Sequence, residues 1–138
     1  MSRWALVVLL GLQAHFAASY LVPLDERSQR EFGGLLRWLW PWADGDGGPL
    51  GQMTVGAGFP LAGFFLAATT ATAFALAALA AAGIWVPSAW WRALGAVGAV
   101  LLLCLMALFF GPTKVIPIAF ALGTLYVALA KPAAFATG

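Results

Sequence analysis

Residues 59–82 read FPLAGFFLAATTATAFALAALAAA, 24 consecutive positions without a charged side chain. At about 1.5 Å per residue, a helix of that length extends roughly 36 Å, more than a hydrocarbon layer of about 30 Å. Alanine and leucine are strong helix formers. The run is far too long for a strand and shows no period of two. It predicts a helix whose solvent is lipid.

Three further charge-free runs flank it: Trp4–Leu24, Ala93–Phe110 and Val115–Ala130, of 21, 18 and 16 residues. As helices they reach about 32, 27 and 24 Å. Counting outward to residues 113–131 lengthens the last one by Thr113, Lys114 and Lys131, since both lysines can snorkel to the headgroups. The expected fold is an all-α membrane protein, one domain of four transmembrane helices over residues 4–24, 59–82, 93–110 and 113–131. The basic start and small residues Ala17, Ala18 and Ser19 also resemble a signal-peptidase site. The apolar run continues through Tyr20, Leu21 and Val22, which favours a span.

Composition agrees. Hydrophobic residues make up 63% of the chain and charged ones 9%, against about 45–50% and about 25% in an ordinary soluble domain. Seven basic and five acidic residues give a net charge of +2, no footprint for nucleic acid. The single Cys104 lies in an apolar run and reads as a small buried hydrophobe.

The seven tryptophans, Trp4, Trp38, Trp40, Trp42, Trp85, Trp90 and Trp91, all fall at or beyond the ends of the runs. Indole prefers the membrane–water boundary, so these residues are expected to anchor two interfacial belts. Lys and Arg number three on one side and four on the other, which leaves the orientation open by the positive-inside rule. The long 25–58 connection reads as external, placing the N-terminus in the cytoplasm of a bacterial plasma membrane.

Within that connection Phe32, Leu35, Leu36 and Leu39 follow one helical face. Glu26–Arg30 and Arg27–Glu31 can pair four apart. An interfacial amphipathic helix is expected near 26–40, ended by Pro41. Asp44 and Asp46 before Gly47 resemble the opening of a calcium loop, but the remaining ligands are missing and a solvated turn fits better.

Inside the spans the one ionisable residue is His15, with Gln13 beside it and Gly11 and Ser19 four positions to either side. Small and polar residues on one stripe suit helix–helix contact. His15 is therefore expected to bond to another helix, through Thr69, Thr70 or Thr72. Pigment or haem ligation by His15, and proton relay, are the competing readings; no cofactor is named by the sequence. Gly95 and Ala99, with Gly98, form a second small-residue contact surface. Ser88 after Pro87 reads as a helix N-cap, and Pro117 falls in a first helical turn.

From Trp90-Trp91-Arg92-Ala93-Leu94-Gly95-Ala96-Val97-Gly98 through the leucine run to Gly111-Pro112, and in an opening span carrying Gln13 and His15, the chain resembles small uncharacterised four-span bacterial integral membrane proteins. The resemblance implies a bundle in a membrane and no particular activity. The leading expectation is an accessory or structural subunit, packed by lipid and by other membrane subunits or its own copies. The alternatives are a binder or carrier of a small apolar ligand such as a pigment, quinone or lipid, and an oligomeric transporter. An enzyme is not expected, because acid–base chemistry needs more titratable groups than His15 supplies.

Overall fold

The computed structural model describes residues 2–19, 21, 59–108 and 115–130. These form four α-helices and no strand: α1 (Arg3–Ser19), α2 (Phe59–Ala82), α3 (Trp91–Leu108) and α4 (Val115–Ala130). The expected interfacial helix at 26–40, with Trp38, Trp40 and Trp42, lies outside the described residues. Two helical stretches, Phe65–Ala82 in α2 and Ser88–Ala107 around α3, are long and apolar enough to cross a membrane. The apolar helices α1 and α4 are shorter. Leu21 donates its N–H to Ala18 O at 3.0 Å in a turn, so the first helix stops short of the 4–24 run.

The order of packing follows the order of the chain. α1 packs on α2, α2 on α3 and α3 on α4, while α1 and α4 meet far more sparingly. α2 has no distinct polar face and packs against neighbours on two sides. Its inward positions Ala67, Phe74, Ala77, Ala80 and Ala81 join Leu6 and Leu10 of α1, and Trp91, Ala99, Leu102, Leu105 and Met106 of α3, in one core. Phe74 is fully buried, and a Cβ built on Gly98 would lie 3.1 Å from its ring. The glycine is what lets that ring lie against the α3 backbone. Gly95 is buried in looser surroundings, where an added Cβ would meet Thr124, Leu10 and Trp91 at 3.6–4.0 Å.

Three of the helix ends have a visible local cause. Ser2 caps α1, its hydroxyl oxygen accepting the Ala5 N–H at 3.2 Å. α2 ends in a Schellman motif: Gly83 N–H reaches Ala80 O at 3.0 Å and Ile84 N–H reaches Leu79 O at 2.9 Å. Gly83 holds φ +71°, a conformation glycine adopts without the steric penalty of a Cβ. Trp85 follows at φ 60°, the centre of a γ-turn closed by Val86 N–H on Ile84 O at 2.7 Å. The 3-10 turn Ser88–Trp90 then leads into α3. Ser88 is the first residue of that turn and not a helix cap; Pro87 holds the cap position and offers no capping side chain.

Tryptophan placement is mixed. Trp4, Trp90 and Trp85 are exposed, Trp85 at 94%. Trp91 departs from the expected interfacial role: it turns into the core at the head of α3, 8% exposed. Cys104 departs the other way and is exposed on α3. One residue's offset on a helix is about 100°, enough to send Trp90 and Trp91 to different sides.

Candidate functional site

Arg3 and Arg92 are the only described residues that carry a formal charge at neutral pH. Both are tied to backbone carbonyls at helix C-termini. Arg3, at the head of α1, donates through Nε to Ala81 O at 2.6 Å and through Nη2 to Ala82 O, at the end of α2. Arg92, at the head of α3, donates through Nε to Ala128 O at 2.9 Å, in the last turn of α4. The last four carbonyls of a helix lack intrahelical partners and carry the negative end of its dipole. Each cation therefore serves as the C-terminal cap of the neighbouring helix. The two arginines bind the α1–α2 and α3–α4 pairs in the same way, at the same end of the bundle. A side chain on Gly83 would collide with the Arg3 guanidinium.

The interior holds three buried polar residues among those described: Gln13, Thr70 and Thr124. Thr70 is satisfied within its own helix, donating to Leu66 O at 2.7 Å. Thr69 and Thr72 do likewise, to Phe65 O and Ala68 O, both at 2.8 Å. The hydroxyl protons expected to meet His15 are thus committed to α2 itself.

Gln13 differs. It is 2% exposed and joins α1 to α4 where the two helices otherwise barely touch. Its Nε2 donates to Thr124 Oγ1 at 2.8 Å and to Leu9 O at 3.3 Å. Its Oε1 is buried without any hydrogen-bond partner. A buried amide oxygen left unmet forfeits about 1–3 kcal/mol. Just outside the pair, Ser2, Trp4, Ala5, Val8, Leu9 and Leu12 of the α1 segment and Phe120 of α4 line an open groove of about 520 Å³. Leu9 and Leu12 flank Gln13 on α1, and Phe120 lies one turn before Thr124. The polar pair sits behind the groove's apolar wall.

Of the expected stripe, Gly11 and His15 are not among the fully buried residues of α1. The buried residues of α1 are Leu6, Leu10, Gln13, Phe16 and Ala17. His15 follows Leu6 by nine positions, about two and a half turns, which puts it on the opposite side of the helix. It is half-buried there, and an added Cβ at Gly11 would meet nothing within 4 Å. Ser19 is the last residue of α1. Among the described residues no group of three or more His, Cys, Asp or Glu comes together to hold a metal. Ala99 and Gly98 are both buried, Gly98 against Phe74 of α2.

Sequence reasoning noted Gln13 only as a neighbour of His15 and passed over Thr124. The available signal was that each is a hydrogen-bonding side chain in mid-run: such groups in an apolar bundle need partners. What arises here is two arginine-capped helix pairs, joined across one seam by a glutamine–threonine bond that leaves an acceptor open. No protein-family model, curated protein or solved structure matches this chain.

Proposed function

We propose that the chain is a four-span integral protein of a bacterial plasma membrane, acting as an accessory or structural subunit within a larger membrane assembly. The observation that carries this reading is the character of the outer surface. Trp4, Val8 and Leu12 on α1, Phe65 on α2, Val97 and Val100 on α3, and Leu122, Tyr126 and Leu129 on α4 all face outward. The only charges on the described helices are tied to helix ends. Such an exterior suits lipid and neighbouring helices. The shorter α1 and α4 reach about 26 and 24 Å, within the range a bilayer accommodates by local thinning. Arg3 and Arg92 sit at one boundary, with exposed Trp4, Trp85 and Trp90 as its belt.

The test is purification of the full chain from native membranes in mild detergent, with native gels and mass spectrometry of what travels with it. A discrete complex containing other membrane subunits is expected. A monodisperse monomer free of protein partners would overturn the subunit assignment. Recovery in the aqueous phase after cell breakage, without detergent, would overturn the membrane assignment itself. A reporter fused after Gly138 is expected to be active in the cytoplasm; periplasmic activity would reverse the orientation.

A further inference from the structure

Resting on the membrane assignment above, we infer that the arginine-bearing end of the bundle holds the headgroup of an anionic phospholipid, with Arg92 as its principal ligand.

The fold sets the charge at this end. Arg3 ties the head of α1 to the end of α2, and Arg92 ties the head of α3 to the end of α4. Two helix N-termini and two C-termini therefore lie together, and their partial charges of about +0.5 and −0.5 cancel in pairs. What remains is the charge of the two arginines. No acidic residue occurs among the described residues. All five acids of the chain fall between Asp25 and Asp46, in the connection that joins the opposite ends of α1 and α2. With the helices across a bilayer, those carboxylates are a helix length away. The counter-ion comes from outside the described helices.

The two clasps leave different amounts of guanidinium free. Arg3 is half-buried and gives Nε and Nη2 to carbonyls. Arg92 is exposed and gives only Nε, so both its Nη groups are without a partner among the described residues. The bond to Ala128 O also holds the group in place. A positioned pair of Nη groups is the fork that grips two oxygens of one phosphate or carboxylate.

Depth decides between those anions. Trp4, Trp85 and Trp90 are exposed at the same end, and indole settles at the level of the headgroups. The abundant anion there is the phosphodiester of the lipid itself. A headgroup of net negative charge is favoured over a zwitterionic one, whose own ammonium offsets the phosphate.

The test titrates the full chain, in a non-ionic detergent, with phosphatidylglycerol or with phosphatidylcholine of the same acyl chains. Native mass spectrometry measures the bound fraction. Phosphatidylglycerol is expected to bind about fivefold more tightly, the factor one cation contributes beside anionic lipid. Arg92→Gln is expected to remove most of that preference, Arg92→Lys to keep most of it, and Arg3→Gln to lower it less than Arg92→Gln does. A merely structural loss would weaken both lipids alike and leave their ratio unchanged. Excess glycerol phosphate is expected to leave the lipid bound; displacement would overturn the assignment in favour of a soluble phosphate. Equal binding of the two lipids by the unmodified chain would overturn the proposal even if no variant folded, and would leave the membrane assignment standing. A preference that survives Arg92→Gln undiminished would overturn the role of Arg92.

Discussion

The α2–α3 contact and the α1–α4 seam are made of the same kinds of residue and behave in opposite ways. In the first, Gly98 admits the Phe74 ring to the helix backbone, within a core that also holds Ala67, Ala77, Ala80 and Ala99. In the second, Phe120 is exposed and a polar bond holds helices that hardly pack, while Gly123, also on α4, meets nothing within 4 Å. Small residues alone therefore do not make a contact. They make one where a large side chain from the partner fills the gap they leave.

That contrast breaks first at its aromatic residues. Phe74→Ala is expected to lower the stability of the detergent-solubilised chain by about 3–5 kcal/mol, as loss of a fully buried aromatic does. Phe120→Ala is expected to lower it by about 1 kcal/mol or less, because much of that ring has no protein neighbours to lose. Thermal or denaturant unfolding followed by circular dichroism measures both, and equal effects would erase the distinction between the two contacts. Next come the glycines of α3. Gly98→Ala is expected to destabilise by about 1–3 kcal/mol, since the buried ring must shift to admit the methyl group. Gly95→Ala is expected to be neutral or to stabilise by up to about 1 kcal/mol, because its Cβ finds ordinary contact distance and alanine is the better helix former.

The arginine caps come third. Arg3→Gln and Arg92→Gln are each expected to cost about 0.3–1 kcal/mol by the helix-dipole term. Arg3→Gln is the larger, because Arg3 reaches two carbonyls where Arg92 reaches one. The order is read by the same unfolding assay. Thr124→Val comes last, with an interhelical bond worth about 0.6 kcal/mol at stake. A loss above about 2 kcal/mol there would mean that the seam is held as firmly as the α2–α3 contact.

How far the sequence foretold this depends on what each residue needs from beyond its own helix. The four described helices match charge-free runs because continuous apolarity is a local property. Pro117 in the first turn of α4 was also legible, since what a proline needs there lies within one turn. The Arg3 cap was not, because its acceptors are 78 and 79 positions away. Nor was the side of α1 on which His15 falls: Gly11, His15 and Ser19 share a stripe, but spacing alone cannot say whether that stripe meets a neighbour. Leu6, Leu10, Gln13 and Ala17 form an equally regular stripe and took the interior. Trp90 and Trp91 show the same limit over a single residue.

The two guanidinium clasps differ in the length of chain between donor and acceptor. Arg92 finds its carbonyl 36 positions further on, whereas Arg3 must await the emergence of Ala81 and Ala82. During synthesis the leading helix thus keeps its cation unclasped while the whole 20–58 stretch is made and helix α2 is laid down. The trailing hairpin secures its own after a much shorter interval. Closing a longer loop also carries the greater entropic toll, though one that grows only logarithmically. The trailing hairpin thus has the shorter route to its native clasp.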